Sequence, residues 1–111
     1  MIKLFFNLKN SINGLKIAYK ENSFIVEIFV GVILIPYIII IDLDIIFKLI
    51  VLSVYFFLLA FEIINTAIEK LSDRITKEFD ADIKKIKDLS SASVFIILIT
   101  LISLIIFTFF M

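Results

Sequence analysis

The chain has 111 residues, room for one domain, and 62% of them are hydrophobic with a mean hydropathy of +1.17, which a soluble fold of this size could not hide. Acidic and basic residues balance at 11 each, so no bulk positive field points to nucleic acid. Cysteine and histidine are both absent, which removes disulfides, thiolate metal sites and thiol catalysis, and leaves carboxylates, lysines and tyrosines as bases in an integral membrane protein.

The first segment, from about Lys3 to Lys20, carries apolar residues at Phe5, Leu8, Ile12, Leu15 and Tyr19, with Lys9, Asn13, Lys16 and Lys20 elsewhere on the wheel. That spacing predicts an amphipathic helix lying in the membrane interface. Its apolar residues are interrupted by lysines and no small-residue cleavage site follows, so it does not read as a cleavable signal peptide.

The second segment, from Phe24 to Ile41, is long enough to cross roughly 27–30 Å of hydrocarbon. It holds Glu27 near its start and Pro36 within, and IDLD (Ile41 to Asp44) ends it. A third segment starts at Ile45 and runs through Glu69, with its last turns projecting from the bilayer because they carry Glu69, Lys70, Asp73 and Arg74. The fourth, Leu89 to Met111, has no charge at all. Lys3, Lys9, Lys16 and Lys20 precede the first span, and Lys70, Arg74, Lys77, Lys84, Lys85 and Lys87 lie between the second and third, whereas only Lys48 lies near the outer turn. Basic residues favour the cytoplasmic side, so this pattern predicts three spans with a cytoplasmic N-terminus and an extracytoplasmic C-terminus.

Within FEIINTAIEKLSDR, the side chains of Glu62, Asn65, Glu69 and Asp73 recur at i, i+3, i+7 and i+11. At about 100° per residue they share a sector of roughly 80°. Carboxylates following the apolar run LIVLSVYFFLLAF are costly unless partnered, which makes the stripe a candidate site. A proton or cation path would want carboxylates at mid-bilayer depth, and a lipid-headgroup site would favour basic residues. Phosphoryl transfer needs carboxylates to hold Mg²⁺ on a triphosphate and another to accept the proton of an alcohol. The position of the stripe at the cytoplasmic boundary, with Lys87 of KKIKD nearby, favours phosphoryl transfer. With Gly14 and Gly31 as its only glycines, the chain cannot form a glycine-rich phosphate loop.

EIINTAIEKLSDR (Glu62 to Arg74), EF (Glu78, Phe79), KDLSSAS (Lys87 to Ser93) and ENSFIVE (Glu21 to Glu27) resemble the signature of the small prokaryotic diacylglycerol kinases and the related undecaprenol kinases. The resemblance covers essentially the whole chain. It implies an all-α homotrimer in the bacterial inner membrane, with active sites shared between protomers, that moves the γ-phosphoryl of MgATP to the hydroxyl of a lipid alcohol. It also implies roles: Glu62 as general base, Asn65 as active-site amide, and Glu21 with Glu69 as ligands of Mg²⁺ and nucleotide. By the same resemblance Glu78, Phe79, Asp80, Lys87 and Asp88 match ATP-contacting positions, Ser91 falls in the lipid-contacting region, and Lys3 stands where the family has an arginine. The family often carries Tyr-His at the positions of Phe79 and Asp80, and the stretch from Gly14 to Glu21 is one residue short of better-known members.

Membrane depth agrees with these roles independently, since Glu62 sits nearest the bilayer and Glu69 lies about 10 Å further along the helix. Each residue also has a structural reading. Glu62 and Asn65 could bond a neighbouring helix, Glu69 and Asp73 could pair with Lys70, Arg74 or Lys77, and Glu21 could anchor the interface. Glu27 could serve polar packing in a trimer core. Lys84 and Lys85 read as topology determinants, and Asp88 could cap the third span with Ser90 and Ser91. The reading adopted is a diacylglycerol kinase producing phosphatidic acid. The nearest alternative is an undecaprenol kinase, whose members often have His at Glu27 but match Thr66. A more distant one is a non-enzymatic oligomer conducting ions through Glu27 or Glu62.

Overall fold

The computed structural model describes residues 1–110 and consists of α1 (Ile2–Ala18), α2 (Asn22–Ile40), α3 (Ile45–Ile75) and α4 (Ala81–Thr108). Met111, where the fourth segment was expected to end, lies outside the described residues. Three helices, α2, α3 and α4, are long and apolar enough to cross a membrane. At 1.5 Å per residue they measure about 28, 46 and 42 Å, so α3 and α4 exceed a hydrocarbon core of about 30 Å. A span that begins at Ile45 uses up that thickness after about 20 residues, near Asn65.

Local chemistry sets the ends. Asp44 accepts from the Ile46 N–H at 3.0 Å and starts α3. Asp80 accepts from the N–H groups of Asp82 and Ile83, both at 3.0 Å, and starts α4. The last helix therefore begins at Ala81, and Asp88, whose alternative reading is a cap of the third span, lies two turns inside it. An aspartate that satisfies two orphan amides is a stronger start than one flanked by residues already helical.

α3 is central and packs on both α2 and α4. The core joins Leu34 and Ile38 of α2, Val51, Tyr55 and Leu58 of α3, and Leu101 of α4. On α3 the buried positions Val51, Tyr55, Leu58, Glu62, Asn65 and Ser72 follow one helical seam, so polar residues continue the core stripe towards the C-terminal end of the helix. Gly31 is what lets α2 approach α3: any Cβ there would overlap the Tyr55 ring and hydroxyl. The Tyr55 hydroxyl donates to the Glu27 carbonyl at 2.8 Å, giving that helical carbonyl a second donor. At the opposite end the Tyr37 and Thr108 hydroxyls meet at 2.8 Å, and Lys48 Nζ donates to the Ile39 carbonyl at 3.1 Å near the end of α2.

α1 is different. Phe5, Leu8, Ile12 and Leu15 are all exposed, and Ala18 is its one buried residue. Tyr19 then packs edge-to-face on Phe24 with centroids 5.4 Å apart, which turns the chain into α2.

Gly31→Ala should therefore push α2 off α3 and lower stability by roughly 1–3 kcal/mol, the cost of overpacking a filled core. Thermal unfolding of the detergent-solubilised protein would show it as a fall in Tm. A Tm equal to that of the wild type would mean that the Tyr55 ring moves aside freely.

Candidate active site

The stripe on α3 is graded by burial. Glu62 and Asn65 are 7% and 8% exposed, whereas Glu69 and Asp73 are exposed. The four residues share one sector of the helix, and only the first two are covered. Ser72, seven residues beyond Asn65, is buried as well, so the exposure belongs to the Glu69 and Asp73 side chains and not to the helix as a whole. Asn65 Nδ2 donates to Glu69 Oε1 at 3.1 Å, which links the buried and the exposed halves. Asn65 Oδ1 is buried and has no donor.

The Glu27 carboxyl faces that of Glu62 across the α2–α3 contact, within hydrogen-bonding reach. Glu27 Oε2 is also buried without a donor. Two facing carboxylates repel, so the pair is satisfied only with a positive charge between them, a shared proton or a metal ion. In the sequence alone Glu27 is as consistent with polar packing as with catalysis, and nothing joins it to the stripe. The available signal was an acid inside an apolar run, one turn before Gly31, but its partner is on another helix.

Glu27 opens onto a groove of about 510 Å³ between α2 and α4. Asn22, Ser23 and Glu27 form its polar end, and Val30, Leu101, Ile102 and Ile105 line the rest. A polar mouth over an apolar trough suits an amphipathic molecule with a hydroxyl at one end.

Glu21 sits at the α1–α2 corner as the N-cap position of α2, but its side chain makes no cap bond. It turns instead to Lys70, with Nζ 3.1 Å from Oε1. Glu21 and Glu69 both lie near enough to Glu62 for their charges to act on it. Carboxylates are hard oxygen donors suited to Mg²⁺, an ion that keeps waters and phosphate oxygens in its shell. Among the described residues no three acidic side chains converge as a complete metal cage. The donor set fits an ion that arrives with its own phosphate ligands.

The remaining predicted residues are dispersed. Lys87 reaches Asp73 on α3 at 2.6 Å, and this hydrogen bond holds the Asp73 carboxyl below the usual carboxylate range. The pairing of Asp73 is thus across helices and not with Lys70, Arg74 or Lys77, the alternative partners near it in sequence. Lys84 pairs with Asp88 at 2.7 Å along α4. Glu78 lies in the α3–α4 turn, where its N–H donates to Thr76 Oγ1 at 3.1 Å, and Phe79 is exposed beside it. The Asp80 carboxylate serves as the α4 cap. Ser91 is exposed on α4, and Lys3 is exposed in the first turn of α1. One chain thus assembles Glu21, Glu27, Glu62, Asn65 and Glu69, but not Lys3, Glu78, Phe79 or Ser91.

A family model described as prokaryotic diacylglycerol kinase matches residues 9–109. A protein named diacylglycerol kinase from Haemophilus influenzae is 38% identical over 91 residues, covering 81% of this chain and 77% of that protein. Of the residues singled out above, only Lys3 falls outside the matched stretch.

The facing pair generates a prediction. Glu27→Gln replaces one of two apposed carboxyls with an amide that donates to the other. Thermal stability should rise by about 1 kcal/mol while turnover falls, as expected where a site keeps like charges together at the expense of stability. A lower Tm in this variant would show that the pair is a stabilising, proton-bridged contact.

Proposed function

The chain belongs to the prokaryotic diacylglycerol kinase family, membrane-embedded lipid kinases, and we propose that it transfers the γ-phosphoryl group of MgATP to the hydroxyl of diacylglycerol, giving phosphatidic acid. One observation carries the reading: the two carboxylates of the α3 stripe differ in exposure, Glu62 being covered beside Asn65 and Glu69 open to solvent two turns further on. The covered end is reached by a lipid hydroxyl from the bilayer, and the exposed end by a nucleotide from water.

In this reading Glu62 accepts the proton of the lipid hydroxyl as its oxygen attacks the γ-phosphorus, and ADP leaves on the aqueous side. Asn65 Nδ2 steadies Glu69, and Asn65 Oδ1, buried and without a donor, is available to a donor brought by the substrates or a neighbouring protomer. Glu21 and Glu69 would hold Mg²⁺, which supplies charge neutralisation on the phosphates when bound. The groove between α2 and α4 receives the lipid, with its hydroxyl end at Glu27. Positioning and electrostatics carry most of the rate in such a transfer. Glu78, Phe79, Asp80, Lys87, Asp88, Lys3 and Ser91 are proposed contacts to nucleotide or lipid from a neighbouring protomer. A homotrimer would also cover the exposed apolar face of α1. The lysine distribution supports placing α1, the active site and the α3–α4 turn at the cytoplasmic face of the bacterial inner membrane.

Purified protein in mixed micelles with labelled ATP and Mg²⁺ should phosphorylate diacylglycerol in preference to undecaprenol. Preference for undecaprenol would move the chain to that branch, and no transfer to either lipid would overturn the reading. Glu62→Gln should lower kcat by about 10²–10⁴-fold, the usual contribution of a positioned base, with ATP affinity within about twofold of the wild type. Collapse of nucleotide binding in this variant would reassign Glu62 to the metal.

A further inference from the structure

The acidic cluster contains its own cation. Glu21, Glu27, Glu62 and Glu69 gather at the cytoplasmic end of the α2–α3 contact, and among the described residues Lys70 makes the one ion pair to any of them. Its ammonium lies 3.1 Å from Glu21 Oε1, with the two side chains 56% and 38% exposed. The pair is not the local product of helix spacing. Lys70 follows Glu69 directly and projects about 100° away from it, towards the groove where Ile63, Thr66 and Ala67 of α3 meet Gly14, Ile17 and Ala18 of α1. From there it reaches across to the α1–α2 corner. Glu21, free of any capping bond, reaches back.

We propose that Lys70 is the resident counter-cation of the metal site, competing with the divalent ion for Glu21 and so setting how much free metal the protein binds without nucleotide. The inference rests on the reading of Glu21 and Glu69 as metal ligands. A carboxylate that coordinates a divalent ion while keeping an ammonium at 3.1 Å brings two cations together, so each weakens the other's hold. Lysine suits such a role because its charge sits on a flexible stem and its half-exposed position makes withdrawal inexpensive. A metal ion that enters with a triphosphate brings anionic oxygens to which the displaced ammonium can turn. A bare ion brings none. Lys70 therefore penalises free metal more than metal–nucleotide and makes the two ligands enter together. It is a positioning and selectivity residue, not one that touches the reacting atoms.

Mn²⁺ serves as the probe, with binding to the intact oligomer in detergent followed by the loss of its free-ion electron paramagnetic resonance signal. Lys70→Gln, which keeps length and removes charge, should bind Mn²⁺ alone about three- to fivefold more tightly, the scale of one part-screened charge interaction. Lys70→Arg should bind it like the wild type. With a non-hydrolysable ATP analogue present, the gain in Lys70→Gln should disappear. Unchanged or weaker Mn²⁺ affinity in Lys70→Gln, alone or together with a lowered Tm, would overturn the proposal and leave Lys70 a tether between α3 and the α1–α2 corner. Tighter binding that persists with the analogue would overturn the selectivity. Lipid phosphorylation measured on the same preparations tests the functional reading separately, since metal affinity is read without turnover.

Discussion

The approach of α2 to α3 at Gly31 and Tyr55 governs the rest of the molecule. A residue without a Cβ admits an aromatic ring, and the ring's hydroxyl binds a backbone carbonyl of the opposing helix. Together these set both the distance and the register of the two helices. Glu27 lies four residues before Gly31 and Glu62 seven after Tyr55, so the register that seats Tyr55 also aims the two carboxyls at each other. A shift of one residue along α2 would rotate Glu27 by about 100° into lipid. The site is thus a consequence of a packing contact that contains none of its chemistry.

The bundle tolerates this because the polar groups sit at one end. Val51, Tyr55 and Leu58 with Leu34, Ile38 and Leu101 form an apolar core away from the carboxyls, and the far end is tied by the Tyr37–Thr108 and Lys48–Ile39 hydrogen bonds. The end that carries Glu27 and Glu62 keeps buried acceptors unsatisfied within one chain, at Glu27 Oε2 and Asn65 Oδ1. Buried acceptors without donors are costly in a folded protein and are characteristic of sites completed by a ligand. The same end carries its charges in graded exposure, so desolvated and solvated carboxylates are separated along one helix without a loop to position them. That arrangement suits a reaction whose substrates come from two phases, and it does without the glycine-rich loop that soluble nucleotide sites use.

Charge pairing across helices complements this. Lys70 to Glu21 and Lys87 to Asp73 each join elements distant in sequence, and both lie beyond the point where α3 emerges from the bilayer. Exposed pairs of this kind add little to stability. Their interest lies in which carboxylates they occupy: Glu21 is held by a lysine, whereas Glu69 is held by an amide, which brings no charge of its own.

Much of this was legible in the residues. Hydropathy and the run of uncharged residues after Leu89 determined an all-helical membrane protein with three spans, because a bilayer demands about 20 apolar residues per crossing and internal satisfaction of every backbone group. Helical periodicity alone placed Glu62, Asn65, Glu69 and Asp73 on one face, and length placed them near the membrane boundary. Helix starts were less legible: the last span reads as beginning at Leu89 with Asp88 as a possible cap, whereas Asp80, through its bonds to the N–H groups of Asp82 and Ile83, starts the helix at Ala81. Partners across helices were not legible at all. Periodicity relates residues on one helix, whereas the facing of Glu27 and Glu62 and the reach of Lys70 to Glu21 depend on the rotation and depth of α2 against α3. That rotation was decided by how a tyrosine ring fits over a glycine, a steric fact that exists only once the two helices meet.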